Sequence, residues 1–317
     1  MAQPYTGTIF MDPDIIIPDD SSAFESISYS GQAERTVYDR RSGWVTINAF
    51  LFSITWNDGL SSEAQVNPEF GTVEAAAGEA EKYAVIIGRL PACLRRDVDA
   101  VWIHEGTQPF GGGNRSLLIH TGQSSLYEAD GILEETLVHE ASHTSLDADH
   151  ATSAAWLNAA SLDGAYISDY ARDYPEREDI AESFLPWLAV RHRSDRISEQ
   201  DYNTITQTIP KRLEYFDDQD FELSPFDPVI TSVEQTFIHR PGEDFILYPN
   251  PAGDLLNIKS TFTGEIQVSI YNHKGTPLIQ KTIAPENGID LSALSPGIYI
   301  VALATGNMVC TKKIIRQ

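Results

Sequence analysis

His139 and His143 stand four residues apart in LVHEASHTSLDADH (Leu137–His150), and Glu140 directly follows the first of them. On a helix, positions i and i+4 differ by about 40° of rotation, so both imidazoles project from one face. Two imidazole nitrogens at that spacing can reach one Zn²⁺ at about 2.0–2.1 Å. Glu140 points alongside them, where a carboxylate can take a proton from a water that the cation activates. A zinc site that does chemistry takes three protein ligands and keeps a further position open. The two histidines supply two, so a third donor must come from elsewhere in the chain.

Asp149 lies six residues after His143, the slot that a third histidine fills in the pattern HExxHxxGxxH. That geometry breaks the helix at a glycine, and here the position is Leu146. It also needs a methionine turn beneath the metal, and the methionines are Met1, Met11 and Met308, all near the chain ends. His150 is one residue out of register, and Asp147, Asp149 and His150 otherwise read as a solvated helix end. The alternative lies in PEREDIAES (Pro175–Ser183), where Glu178 and Glu182 are again i and i+4. Ile180, Ala181, Phe184, Leu185 and Leu188 surround them. Two carboxylates turned towards an apolar interior are unfavourable unless a cation or donors compensate, and zinc would be that cation. The competing reading is a surface helix with an acidic stripe, because glutamate favours helices.

The elements that must position these groups mix helix and strand, an α+β pattern. VTINAFLFSITW (45–56) has strand composition, and FGTVEAAAGEAEKYAVIIGRLP (70–91) has helical spacing with Pro91 as its stop. DAVWIHEG (99–106) and RSLLIHTG (115–122) read as strands flanking the loop TQPFGGGN. DGILEETLVHEASHTSL (130–146) is the helix that carries the histidines, and a second helix starts near Pro175. One of the two strands is expected to offer an edge to a substrate backbone. His104 and His120 would then lie close to the cleft; the alternative for both is a structural place in the core.

The chain has 317 residues, room for two domains, and its formal charge of −24 disfavours nucleic acid, which needs clustered Lys and Arg. No apolar run approaches the ~20 residues needed to span a bilayer. The opening MAQPYTG has neither a basic n-region nor an h-region, so the leader of a secreted protein is not legible in this sequence. Cys93 and Cys310 fit neither a disulfide framework nor a CxxC metal site and read as buried thiols. The acidic clusters DPD (12–14) and DDQDFE (217–222) match no complete calcium loop and read as facing water, with Ca²⁺ as the alternative there. Residues 224–245 hold Pro225, Pro228 and Pro241 without periodicity and read as a linker between a domain at 1–223 and another at 246–317. From Ile246 onward there are six Lys/Arg and four Asp/Glu, so that segment is +2 and the part before it −26. Its short β-branched segments, LLNIK, EIQVSIYN, PLIQKTI, GIYIVALA and MVCTKKII, are separated by turn signals and suggest a small antiparallel Ig-like β-sandwich.

Two resemblances add to this reading. YPNPAGDLLNI (248–258), IYNHKGTPL (270–278), IDLSALSPGIYIVAL (289–303) and the basic end TKKIIRQ resemble the C-terminal sorting domain of type IX secretion cargo. That resemblance implies passage across the outer membrane of a Bacteroidetes-type bacterium through its type IX machinery, and a secreted or surface-attached product. SDYARDYPEREDIAESF (168–184) is similar to the stretch that follows HExxH in lethal-factor-type zinc metallopeptidases, a gluzincin group. The resemblance implies a zincin-like catalytic domain over 1–223, with Glu178 as third zinc ligand beside His139 and His143. It further implies Glu182 hydrogen-bonded behind the ligands, Glu140 as general base and Tyr170 directed at the substrate. The turn between Tyr170 and Glu178 is one residue longer than the group's pattern, which makes Tyr174 a rival for that role. The expected activity is zinc-dependent endopeptidase hydrolysis of a protein or peptide, with one Zn²⁺ per chain. The alternatives are a surface or matrix-binding protein on a zincin scaffold and a zinc hydrolase of a non-peptide bond.

Overall fold

Alternating residues between Phe24 and Trp56 fold into a long antiparallel hairpin, β1 (Phe24–Asp39) against β2 (Gly43–Trp56). The computed structural model describes residues 3–7, 11–226, 245–260, 264, 266–272, 277–284, 288–305 and 308–317, and the chain forms two units, Met1–Ile230 and Thr231–Gln317. In the first unit the hairpin extends through β3 (Ser61–Val66), β4 (Ala100–His104), β5 (Gly111–Gly113) and β6 (Ser116–His120) into one mixed sheet. Its order is β1-β2-β3-β4-β6-β5; β3, β4 and β6 run parallel, and β5 returns antiparallel to β6. The strands AVWIH and SLLIH are apolar almost throughout because both faces are covered, the condition that replaces alternation with a continuous run.

This order corrects one expectation. DAVWIHEG lies between β3 and β6, and RSLLIHTG between β4 and β5, so neither has a free edge. The edge is β5, inside the glycine-rich stretch expected to be a loop. Three consecutive glycines carry no side-chain pattern, and only pairing with β6 makes them a strand.

Ten helices accompany the sheet among the described residues: α1 (Val73–Ile87), α2 (Ala92–Arg95), α3 (Thr121–Ala129), α4 (Leu133–Ser145), α5 (Asp147–His150), α6 (Ala154–Asp163), α7 (Asp169–Asp173), α8 (Pro175–His192), α9 (Glu199–Thr208) and α10 (Pro210–Asp217). The Thr72 side chain caps α1 by accepting from Ala75 N, and Ala76, Ala80, Tyr83, Ala84 and Ile87 make its buried stripe. It ends at Gly88, short of Pro91. Leu133, Leu137, Val138 and Ala141 seat α4 in the core. Its first turn buries Glu134 and Glu135 as well; Arg89 pairs with the former at 2.8 Å and Ile16 N donates to the latter at 2.8 Å. Negative charge at a helix N-terminus is favourable.

Helix α8 begins at Pro175, where a missing N–H costs nothing, and every residue from Glu178 to Val190 is buried. A helix covered all round belongs to the interior, so the surface helix with an acidic stripe is excluded. Asp179 is compensated by the Arg212 guanidinium at 2.9 Å, which also bonds Asp163 at 3.0 Å. Leu223 and Phe226 still pack against this core. Most of the expected linker, 227–244, lies outside the described residues.

The second unit is all β. Strands β7 (Phe245–Tyr248), β8 (Leu255–Ser260) and β11 (Ile289–Asp290) form one antiparallel sheet, and β9 (Ile266–Tyr271), β10 (Pro277–Ile283), β12 (Gly297–Thr305) and β13 (Met308–Arg316) form the other. Leu256 and Ile258 from the first share a core with Val268, Ile270, Val301 and Leu303 from the second, the arrangement of an Ig-like sandwich. The two shortest strands, β7 and β11, carry too few residues to show a pattern in sequence.

Candidate metal centre

The histidine helix and the carboxylate helix, α4 and α8, pack against each other inside the first unit, and that crossing builds the centre. His139 is buried, His143 half-buried and Glu178 buried, and one donor atom from each lies within 4.8 Å of the others. The two Nε2 atoms are 3.2 Å apart, and Glu178 Oε2 lies 3.5 Å from His139 Nε2 and 3.2 Å from His143 Nε2. Among the described residues this is the group of three donors able to hold a metal ion.

Each imidazole has a carboxylate behind its other nitrogen. His143 Nδ1 meets Asp147 Oδ2 at 2.8 Å, and a carboxylate oxygen can only accept, so Nδ1 donates and Nε2 is the nitrogen turned to the shared point. His139 Nδ1 faces Glu182 Oε1 at 3.5 Å, and the Ser168 hydroxyl donates to Glu182 Oε2 at 2.5 Å. Anchoring of this kind fixes tautomer and ring orientation at a metal. Glu178 is divided in the same way. Its Oε1 accepts from Tyr170 Oη at 2.9 Å and Arg177 Nε at 2.6 Å, while its buried Oε2 has no hydrogen-bond partner and turns to the imidazoles.

Such convergence of imidazole nitrogens and a carboxylate favours positive charge at the shared point, and the titration of the groups follows. Burial alone would lower the His143 pKa, but Asp147 and Glu178 override it and push it up to about 10. Burial would raise Glu178, but its contacts with His139 and His143 override it and hold the carboxyl far below the usual carboxylate range. Burial, then the hydrogen bond to the Glu178 carboxylate, raises Tyr170. The residues therefore fit a divalent metal: three converging donors, each held from behind, and one orphaned carboxylate oxygen.

A cleft of about 400 Å³ opens over the centre, and Glu140, Tyr170 and Arg177 line it with the three donors. Gly111–Gly113 of β5 line it as well. A Cβ on Gly112 would lie 1.8 Å from Glu140 O, so glycine is required for the edge strand to sit flush on α4. Gly113 N donates to Thr144 Oγ1 at 2.8 Å, a second tie between strand and helix. Tyr170 is placed by the N-terminal segment: Asp169 N donates to Tyr5 O at 2.9 Å and Tyr170 N to Thr6 O at 3.1 Å. Its rival Tyr174 is exposed and does not line the cleft.

The remaining candidates lie elsewhere. Asp149 is exposed on α5, and His150 Nδ1 bonds Tyr215 Oη at 2.6 Å, so neither reaches the histidines. Asp147 does, as the anchor of His143 and not as a third donor to the shared point. Its i+4 spacing from His143 was the signal that could have found that role. His104 and His120 do not line the cleft; they are fully buried at the ends of β4 and β6. Asp12 accepts from Ser198 N, and Asp217 accepts from Trp187 Nε1 and Arg191, so these members of the two acidic clusters bond protein donors. Cys93 is buried, and burial pushes its thiol up to about 12; the Cys310 side chain lies outside the described residues. No helix among the described residues is long and apolar enough to cross a membrane.

Residues 246–317 match the secretion system C-terminal sorting domain. The protein is therefore secreted or attached to the cell surface, and this domain is its address to the type IX machinery. Over 80 residues the chain is 36% identical to Beta-agarase D of Zobellia galactanivorans, a stretch covering 25% of this chain and 16% of the agarase. The matched stretch thus spans about a sixth of that relative's length.

Proposed function

We propose that the first unit is a zinc metalloendopeptidase of gluzincin type on a zincin-like scaffold, exported by its sorting domain. The observation that carries this reading is the convergence of His139, His143 and Glu178 within 4.8 Å beside Glu140, on the wall of an open cleft. Two histidines and a carboxylate suit zinc and also non-haem iron; a free carboxylate adjoining the first histidine favours hydrolysis. Bound by these three residues, zinc would supply an acidified water and a Lewis acid for the scissile carbonyl.

The chain's own residues do the rest. Glu140 takes the proton of the attacking water and returns it to the departing amine, the work of a general base that becomes a general acid. Tyr170, now donating to Glu178 Oε1, can turn its hydroxyl to the oxygen on which negative charge develops. Arg177 Nη2, 3.2 Å from Tyr170 Oη, keeps that hydroxyl oriented and adds positive charge. The edge of β5 beside Glu140 can hold an extended backbone by strand addition.

Similarity to an agarase raises glycoside hydrolysis as a rival. That reaction needs two carboxyl groups flanking a sugar bond, whereas Glu178 and Glu182 face imidazoles here. An 80-residue match is also close to the length of the sorting domain. Digestion of a mixed peptide library with and without a zinc chelator tests the proposal. Glu140→Gln is expected to keep its zinc and lose about 10²–10⁴-fold in kcat/KM. Cleavage that survives the chelator, or full cleavage by the zinc-loaded variant, would overturn it.

A further inference from the structure

We propose that an aromatic recess beside the centre is the subsite for one aromatic or large apolar side chain of the peptide substrate. The inference rests on the peptidase reading above. The recess measures about 230 Å³, and Tyr38, Trp44, Trp102 and Leu118 wall it. Arg40 and Gly111–Gly113 line both the recess and the metal-type cleft, so one strand of backbone separates them. Three glycines in that strand place no side chain across the passage. A peptide extended along β5 with its scissile bond at Glu140 therefore has side chains that alternate in direction and can drop into the recess.

Shape selects the occupant. Pockets that hold a whole small ligand run to about 300–1,000 Å³, so this one suits a single side chain. Trp44 meets Trp102 at 5.5 Å between centroids and 80° between planes, and Tyr38 meets Trp44 at 5.5 Å and 65°. Rings set edge to face make a corner, which offers an entering ring one face and one edge, both favourable contacts. A sugar ring would need a single flat open platform, and the perpendicular rings do not make one.

The recess is also preformed. Trp102 is 8% exposed and packs with Val37 and Leu118 on the outer face of the sheet. Arg40 Nη2 donates to Phe110 O at 2.5 Å and holds the β1–β2 turn against the strand that enters β5. Trp44 is 56% exposed and is the wall that solvent reaches. Its indole is the group an incoming side chain would desolvate.

The test compares peptides of one sequence that differ at a single position, Phe against Ala, scanned on both sides of the cleaved bond. Cleavage is read with the wild-type protein and binding by calorimetry with Glu140→Gln. At one position Phe is expected to exceed Ala by roughly ten- to hundredfold in kcat/KM and in affinity. Trp44→Ala is expected to bring that ratio close to one, and Trp44→Phe to restore most of it. A ratio near one at every position in the wild type, or a preference that Trp44→Ala leaves intact, overturns the subsite. So does an agarose oligosaccharide that binds Glu140→Gln through Trp44 more tightly than any peptide. Chelator-sensitive cleavage without positional preference sinks the recess alone, whereas no chelator-sensitive cleavage of any peptide sinks the peptidase reading with it.

Discussion

Two histidine pairs lie in the first unit, each with a carboxylate nearby, yet they are built for opposite ends. His139 and His143 sit at 4.8 Å between ring centroids, with Glu178 at 3.2–3.5 Å. His104 and His120 sit at 5.5 Å, with Asp39 at 3.8 and 3.9 Å. Asp39 is already engaged by Arg41 Nη2 at 2.7 Å, and the rings bond outward, His104 Nδ1 accepting from Asn67 Nδ2 and His120 Nδ1 donating to Glu105 O. Burial pushes His104 down to about 4, while the carboxylates around His143 overcome burial and push it up to about 10. His104 resists positive charge and its pair is sealed; His143 attracts it and its pair faces a cleft. Proximity of two imidazoles to an acid is therefore not enough to mark a metal centre. What matters is whether the lone pairs and the free carboxylate oxygen point at one place.

The contrast can be broken most sharply at the three proposed zinc donors. Glu178→Ala is expected to reduce zinc from about one per chain to near zero by elemental analysis, while His104→Gln retains it. Equal loss from both variants would erase the distinction drawn above. A smaller effect is expected behind the ligands: Asp147→Ala frees the His143 ring and should weaken zinc binding by about 10–100-fold, measured by competition with a chromogenic chelator. Unaltered affinity there would show that Asp147 does not hold the ring.

The last contrast concerns the sealed pair and is read in the stability of the fold. His104 titrates at an ordinary 6.5 when unfolded and about 4 when folded, with Asp39, His120, Glu69 and Arg41 as the charged groups facing it. Between those values the unfolded chain binds a proton that the folded chain refuses. The stability due to a neutral His104 is thus complete above pH 6.5 and is lost as pH falls towards 4, about 3 kcal/mol in all. Urea unfolding across that range should show the wild type losing this increment and His104→Gln keeping it. Parallel pH profiles for the two proteins would contradict the assignment.

The legible parts of the molecule are those whose signal is short-range. The spacing of His139 and His143, the apolar positions of α4 and α8, and the turn-separated strands of the C-terminal unit all express local periodicity. The strand β5 was illegible because glycine carries no pattern and because its strand character comes from β6. The short strands β7 and β11 were missed for lack of length, and β3 because SSEAQV is polar for a strand and is stabilised by its neighbours β2 and β4. In sequence Asp147 reads as a candidate zinc ligand or a solvated helix end, whereas in the fold its carboxylate serves the back of an imidazole.

By itself the sequence determined two things: that one helix face presents two imidazoles beside a carboxylate, and that the last 72 residues, 246–317, carry a sorting domain. Both are properties of contiguous chain, where covalent geometry fixes what neighbours can do. Only the tertiary structure decided that Glu178 converges on the histidines while Glu182 stands behind them. It alone placed Tyr170 instead of Tyr174 in the cleft, and made three glycines the edge beside Glu140. Those outcomes depend on how α4, α8 and the sheet pack, and packing is settled by burial summed over the whole core and not by any local spacing.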